Sequence, residues 1–521
     1  MYDLVIDLEI DVHGDRSDPS AYNEENILSA IGWVRTDTLQ PGMVWTKALV
    51  ENPNALDEFK ADLAGAQFVV MHNAKFDLAW MRSVDIPVTN KVICTMVSEY
   101  ILSRGIRSPL SLKALAKKYG VTEKLDTLGE ALAEGLNFSD MPEDIARDYL
   151  YSDLLATLEV YEKQSSIFSR GDSTSLIPIR DMMCEFTSVL TDIEMAGMAI
   201  DLEALDKVDQ DYEAEEAQLK SYLTREVRKY MGDTPINLSS GEQMSKVIYS
   251  CQFRDKKLWK EVMNIGTDSE GKPLRRPRMK IKAFREVLSA CFTRPRKQQA
   301  TKCLSCYGSG QIRKIKKSGE PFARTNACQE CGGLGVLYKD LPEIAGLGFN
   351  PTVDYASEGG FATNKATISE LRNETSDPDK RKFLDSIARL SAISSYRTSF
   401  INGIRTNTRP TGLLHCSFNQ TTTRTGRLSS SGPNMQNIPK DKSFPVRAAF
   451  VSRFPDGTIL EIDYSQLEFR IAGILANDPA IAADILNGHD VHQYTADVLT
   501  AKGEPTKRGP AKSAHLSLST E

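Results

Sequence analysis

No uncharged apolar run in the sequence approaches the ~18 residues that a bilayer-spanning helix requires. The first ten residues, MYDLVIDLEI, place acids where an export signal needs a basic start and a long apolar core. These absences argue against a helical membrane protein and a secreted one, and point to the cytoplasm. Also missing are long internal repeats, apart from two paired cysteine units, and any thioredoxin-like strand–helix–strand context around those pairs. Of nine cysteines, four stand in the tight pairs, while Cys94, Cys184, Cys251, Cys291 and Cys416 are scattered singly. Without an export signal, that pattern favours a metal site over disulfides.

What is present fits a multidomain globular chain. A length of 521 residues accommodates three or four domains at ~100–200 residues each, and 41% hydrophobic with 26% charged residues is ordinary for soluble proteins. The net charge of −6 averages unlike parts: between Arg254 and Arg324 there are 20 Lys/Arg against 6 Asp/Glu. Such asymmetry suggests a localised polyanion contact. The plain alternative is a solvated charged loop.

LVID (4–7) and FVVMHN (68–73) read as short buried strands. SLKALAKKYG (111–120) reads as a helix capped by Ser111 and closed by Gly120. The alternation predicts an α/β domain over 1–165. From 180 to 252, and again over 346–404, the pattern is helical, with 201–230 and 379–404 as its longest segments. Between them, 253–345 is basic, Gly-rich and cysteine-bearing, which reads as an insertion. Residues 405–521 form the last region, where TILEIDY (458–464) reads as an apolar strand.

Asp7 and Glu9, two apart on a strand, share one face. Asp77 follows a strand in HNAKFD, and Asp153 lies four residues after Tyr149, on the same helical face. Four converging acids could hold two divalent cations about 4 Å apart, suited to phosphodiester hydrolysis, with Tyr149 orienting the attacking water. Any one of them alone would read as a surface acid or a helix cap. Taken together, DLE (7–9), N-x-x-x-D (73–77) and Y-x-x-x-D (149–153) resemble the three motifs of DEDDy 3′–5′ exonuclease domains. The resemblance implies an RNase H-like α/β fold over 1–165, using Mg²⁺ or Mn²⁺ on Asp7, Glu9, Asp77 and Asp153. Ile10, where the family commonly has Thr, and Cys94, where it commonly has Asp, depart from the pattern without touching a metal ligand.

CLSCYGSG (303–310) and CQECGGLG (328–335) repeat C-x-x-C-x-G-x-G with 21 residues between the pairs. Four thiolates, Cys303, Cys306, Cys328 and Cys331, suit structural Zn²⁺, and the glycines let the backbone turn around the sulfurs. The units are similar to the zinc repeats of DnaJ-type co-chaperones, but those carry four repeats and a J domain, which nothing here resembles. With RRPRMKIK before the pairs and IRKIKKSGE between them, the reading is a zinc-stapled basic module touching nucleic-acid phosphates. A purely structural insert is the alternative.

TRTGRLSSSGPNMQNIP (423–439), EIDYSQLEFRIAG (461–473), DVH (490–492) and RGPAK (508–512) resemble the palm and early fingers of family A, DNA polymerase I-like, enzymes of phage type. LTDIEMAGMAID (190–201) and NLSSGEQM (237–244) resemble the entry to their thumb. The resemblance implies an α-rich thumb followed by an incomplete α+β palm and fingers. It assigns Asp463 to one of two metal-binding aspartates, Glu468 to sugar discrimination, and His492, Arg508 and Lys512 to the incoming dNTP. Arg427, Asn434, Gln436, Asn437 and Gln466 would line primer–template DNA. A phage origin would make the compartment the host cytoplasm.

The ending after RGPAK departs from the family, which continues with something like T-F-K-P-L-Y-G. Phe is expected where Leu516 stands and Tyr where Thr520 stands. Skipping one nucleotide in codons for S-T-F-K-P-L-Y-G reproduces residues 514–521, so a frame shift after Ser513 is expected. On that expectation the chain is an N-terminal part without the second palm aspartate, and polymerisation needs a second polypeptide carrying the rest. A processivity factor is a further partner compatible with the family. The competing functional readings are a stand-alone 3′–5′ exonuclease and a non-catalytic zinc or DNA-binding scaffold.

Overall fold

Alternation along LVIDLEID organises the first layer. In the computed structural model, which describes residues 1–502 apart from 16, 48–51, 124, 126, 268–273, 316–320 and 441–442, this segment is strand β1 (Leu4–Asp11). It pairs antiparallel with β2 (Ile27–Arg35), which pairs with β3 (Pro41–Trp45), and it lies parallel to β4 (Phe68–Met71), itself parallel to β5 (Lys91–Cys94). The sheet order is therefore β3-β2-β1-β4-β5.

Helices cover both faces, because successive side chains of β1 point opposite ways. Leu4, Ile6 and Leu8 enter a core with α1 (Asp57–Gly65), α2 (Ala74–Ser83) and the start of α3 (Thr95–Leu102). Val5 enters the opposite core with Tyr149, Leu150 and Leu154 of α6 (Glu143–Phe168). The short helices α4 (Leu112–Tyr119) and α5 (Thr127–Ala133) precede α6. In α4 the Ser111 side chain accepts from Ala114 N and Gly120 closes the helix at φ +62°, as its sequence predicts. Gly32 sits opposite Asp7 across the β1–β2 ladder. A Cβ there would lie 2.8 Å from the Leu150 side chain, so the glycine lets α6 approach the strand that carries the acids.

Helix α7 (Ile177–Ala196) leads into β6 (Met198–Ile200), which Leu413–Leu414 and Phe450–Val451 flank antiparallel. Next, α8 (Leu202–Met231) packs on the helix Pro378–Tyr396. Arg389 grips Glu215 with two hydrogen bonds, 2.7 and 2.8 Å, and Arg397 bridges Asp209 and Glu216. Tyr396 stacks on Phe444, ring centroids 4.2 Å apart, beneath this ionic seam.

A second large core gathers Leu223 and Val227 of α8 with Trp259, Phe284, Cys291, Phe292, Phe361 and Phe383. Trp259, Phe284, Cys291 and Phe292, from the first part of the expected insertion, therefore belong to this helical core, because they face inward. The remaining 296–344 builds two ribbons, Arg296–Lys302 with Val336–Ile344 and Gln311–Ile315 with Pro321–Ala327. Among the described residues, the four paired cysteines form their buried cluster, with Leu337 packed against it.

The chain divides into two units, Met1–Arg453 and Phe454–Glu521. Residues 405–453, expected to group with 454–521, belong to the first, since two of their strands complete the β6 sheet. The second unit contains the helices Leu467–Ala476, Pro479–Leu486 and Val491–Ala501. The expected strand over TILEIDY does not form: residues 458–464 have no strand hydrogen bonding, and Ile462 is 89% exposed. An apolar run becomes a strand when neighbours satisfy its amides and carbonyls, and among the described residues no strand pairs with it.

Partly buried polar contacts fasten this N-terminal domain to segment 409–424. Lys75 Nζ donates to Glu194 Oε1 (2.6 Å), Ser417 Oγ (3.0 Å) and the Phe418 carbonyl (2.7 Å), while Glu194 also accepts from Phe418 N. Arg409 pairs with Asp18 at 2.6 Å, and the Tyr100 hydroxyl donates to the Thr423 carbonyl at 2.8 Å. Lys75→Met leaves Glu194, 6% exposed, without its cation, and is expected to cost about 3 kcal/mol. Thermal unfolding of Lys75→Met against the Lys75→Met/Glu194→Gln pair checks it, because the second change should recover part of the loss.

Candidate active site and metal centres

Three elements deliver the N-terminal acids. Asp7 and Glu9 project from β1 toward α6, just before a register shift between Glu9 and Ile10. Tyr149 and Asp153 descend from α6, one helical turn apart, on the face that meets β1. One oxygen each from Asp7, Glu9 and Asp153 lies within 4.8 Å of the others. Asp77, in the first turn of α2, comes from the other side of the sheet. There Asn73, at φ +59°, turns the chain from β4 into the helix.

Asp77 stands apart from the triplet but lies close enough to Asp7 to sense its charge. Burial and the neighbouring Asp7 charge push its carboxyl well above the usual carboxylate range. Its Oδ2 is buried without a hydrogen-bond partner. Burial, then Glu9, Asp153 and Asp7, push the Tyr149 phenol far up, so its hydroxyl keeps its proton. Concentrating carboxylates in a site that is only 1% exposed at Asp153 and 3% at Asp77 is costly unless positive charge joins them. All-oxygen donors and an unsatisfied buried oxygen fit a hard divalent cation. Asp7 is the one acid common to both groupings, the triplet and the Asp7–Asp77 pair.

Ile10 and Cys94, the two departures from the exonuclease pattern, have structural surroundings. Ile10 packs against the core on the α2 face. Cys94 is buried at the start of α3, and its N–H donates to Cys184 Sγ at 3.4 Å.

The four cysteines converge as their spacing predicts. Sγ atoms of Cys303 and Cys328 are 3.9 Å apart, and those of Cys306 and Cys331 are 3.7 Å apart. Tetrahedral zinc with bonds of ~2.3 Å would set its sulfurs about 3.8 Å apart. The two units pair reciprocally: Cys303 N donates to Gly335 O (3.0 Å) and Cys328 N to Gly310 O (2.8 Å). A Cβ on Gly310 would fall 2.2 Å from Gly333 O, and one on Gly335 2.4 Å from Gly308 O. Close backbone approach, together with positive φ at both, explains the last glycine of each repeat.

The expected DNA-lining residues fall into two places. Arg427, Asn434, Gln436 and Asn437 are exposed along the hairpin Ser417–Asn419/Ser429–Ser431 and the turn after it. Ser430 organises that turn, donating to Asn434 Oδ1 and accepting from Gln436 N, both at 3.1 Å. In the second unit, Asp463 and Glu468 are exposed, and Gln466 caps the helix Leu467–Ala476 at φ +54°. His492 is buried in the first turn of Val491–Ala501. Arg508, Lys512 and the tail after Ser513 lie outside the described residues. The Lys75–Glu194 linkage went unrecognised in the sequence. Its one local signal is a lysine two residues before Asp77; nothing in the spacing names a partner 119 residues away.

Residues 37–166 match the family model described as 3′-5′ exonuclease, and residues 337–517 match that of DNA polymerase family A. Over these two segments the chain is that of a family A DNA polymerase with a 3′–5′ exonuclease domain. It is 27% identical over 441 residues to the DNA polymerase of Bacillus phage SP01, covering 82% of this chain and 41% of that protein. To DNA polymerase I of Bacillus subtilis it is 34% identical over 208 residues, 39% of this chain and 22% of the relative. Among solved structures, the POL domain of Pol1 from M. smegmatis, in complex with DNA primer-template and dNTP, has a similar fold. The TM-score is 0.60 at 19% identity, over 99% of this chain and 67% of that one. The chain thus spans well under half the length of these curated relatives. Among the described residues of this family A chain, no helix is long and apolar enough to cross a membrane.

Proposed function

We propose that this chain removes nucleotides from DNA 3′ ends at the Asp7 site and contributes primer–template and dNTP contacts for template-directed synthesis. The observation that carries the first part is the convergence of Asp7, Glu9 and Asp153 within 4.8 Å, with the buried Asp77 carboxyl beside the Asp7 charge. Asp7, Glu9 and Asp153 would hold one Mg²⁺ or Mn²⁺, and Asp7 with Asp77 a second. When bound, such ions lower the pKa of water and stabilise the leaving oxygen. Asp7 would serve both positions, since it lies in the triplet and beside Asp77. Tyr149, a phenol beside Asp153, orients the attacking water through its hydroxyl. Sheet packing excludes bulk water from the Asp77 side.

For synthesis, Arg427, Asn434, Gln436 and Asn437 present hydrogen-bonding groups to the minor groove, where acceptors common to all base pairs report shape. Asp463 supplies a carboxylate for a triphosphate-bound cation, Gln466 a primer–template contact, and Glu468 a sugar contact. The Cys303, Cys306, Cys328 and Cys331 set binds structural Zn²⁺. Primer–template DNA and dNTPs are the ligands in this reading, and the cytoplasm is its setting.

The test is degradation of a 3′-labelled single strand by the full chain with Mg²⁺ or Mn²⁺, alongside extension of a primed template with dNTPs. Metal-dependent shortening from the 3′ end is expected and should stop with EDTA. No shortening with either ion would end the exonuclease reading. A scaffold without catalysis would bind DNA and leave it intact.

A further inference from the structure

The hairpin Ser417–Asn419/Ser429–Ser431, with the loop 420–428 between its strands, rests on α2, α3 and α7 at three places. At its base, Lys75 Nζ donates to Ser417 Oγ (3.0 Å) and to the Phe418 carbonyl (2.7 Å). Its partner Glu194, 2.6 Å away, accepts from Phe418 N. Where the first strand ends, Gln420 is 6% exposed and uses both ends of its amide on α7. Its Oε1 accepts from Thr187 Oγ1 at 2.8 Å, and its Nε2 donates to the Met183 carbonyl at 2.9 Å. At the loop, the Tyr100 hydroxyl of α3 donates to the Thr423 carbonyl at 2.8 Å. Beside it Gly105, at φ +79°, allows so close an approach that a Cβ there would fall 2.8 Å from the Arg424 carbonyl oxygen.

From these places the hairpin passes the restraint onward. Thr423 Oγ1 donates to the Arg427 carbonyl at 2.6 Å, so the residue that Tyr100 holds fixes the backbone of Arg427 in turn. Across the ladder Phe418 pairs with Ser430, whose hydroxyl orders the turn bearing Asn434 and Gln436. A two-stranded hairpin is at best marginally stable alone in water, so what it is docked on sets its orientation. Lys75 has three N–H donors, and Glu194, Ser417 and Phe418 engage all three. The lysine therefore acts through the hairpin rather than on a ligand.

We infer that Lys75, Tyr100 and Gln420 are positioning residues for primer–template binding: the helices that frame the carboxylate site also hold the DNA-lining hairpin in place. The inference rests on the reading of Arg427, Asn434 and Gln436 as primer–template contacts. Lys75 and Asp77 both lie in the first turn of α2. One helical turn thus serves the 3′-end site with one side chain and the duplex contact with another. In this arrangement none of the three positioning residues touches DNA. They act by preorganisation, because groups already held in place lose less entropy when a ligand binds them.

The experiment measures binding of a primer–template duplex to the full chain by fluorescence anisotropy, in EDTA, from low to high salt. Tyr100→Phe is expected to weaken binding about threefold and Lys75→Met about tenfold, the orders set by one neutral and one charge-assisted hydrogen bond. Lys75→Met/Glu194→Gln should regain thermal stability but not affinity, since the bonds from Lys75 to the hairpin are still missing. Affinity that recovers together with stability means that Lys75 acts on the fold alone, and overturns the inference. The slope of log K against log salt should match wild type in these variants, because no phosphate contact is removed. A slope smaller by about 0.9 in Lys75→Met means a direct phosphate contact, which also overturns it. Tyr100→Phe should degrade a short 3′-labelled single strand with Mn²⁺ at the wild-type rate; a loss in step with duplex affinity means general damage to the domain and counts against the inference. Arg427→Gln separates the two readings. If it binds primer–template as wild type does, the underlying reading of the hairpin fails. If it binds more weakly while Tyr100→Phe and Lys75→Met bind normally, only the positioning role falls.

Discussion

Asp7→Ala abolishes 3′-end degradation, with an expected loss of about 10³-fold or more. The magnitude follows from its double membership: it completes the Glu9–Asp153 triplet and adjoins Asp77. Each metal position contributes several kcal/mol to the transition state, and about 1.4 kcal/mol is a factor of ten in rate. Tyr149→Phe keeps the ring that packs 6.3 Å from Phe138 and removes only the hydroxyl. Its expected loss is smaller, about 10²-fold. Single-turnover digestion of a 3′-labelled strand with Mn²⁺ measures both, and an Asp7→Ala rate within tenfold of wild type would refute the shared-ligand argument. A second readout separates chemistry from folding. In EDTA, Asp7→Ala should melt no lower than wild type, because removing it relieves the repulsion that raises Asp77.

Zinc removal has the other large effect, and it is local. Among the described residues, the ribbons over 296–344 have no apolar core of their own beyond four cysteines and Leu337. Binding of a structural zinc is worth about 10–16 kcal/mol in isolated zinc modules, far more than one leucine contact supplies. Metal analysis is expected to find one zinc per chain. Cys306→Ser or Cys331→Ser should lose it and expose 296–344 to proteolysis, while the exonuclease sheet stays protected. Zinc-free wild-type chain with an intact, protease-resistant ribbon would exclude the assignment. Exonuclease activity should survive the Cys306→Ser change, since the carboxylate site draws nothing from these strands.

Local patterns were legible wherever one element decides them. Ser111 and Gly120 bracket their helix because a cap needs only its own turn. The spacing Asp7–Glu9 and the spacing Tyr149–Asp153 each put two side chains on one face for the same reason. TILEIDY shows the limit: its composition suits a strand, but a strand's hydrogen bonds belong to its neighbours. The basic region 253–345 shows another. Its charge suggested one insertion, whereas Trp259, Phe284 and Phe292 of its first part pack in one core with Leu223 and Val227.

From the sequence alone came the identity and order of the acids, the two C-x-x-C-x-G-x-G units and the resemblance to family A polymerases, because these are fixed by covalent spacing and residue chemistry. Tertiary structure alone decided that Lys75 reaches Glu194 and that Trp259, Phe284 and Phe292 share one core with Leu223 and Val227. Those relations depend on which faces pack together, and burial, not distance along the chain, governs that choice.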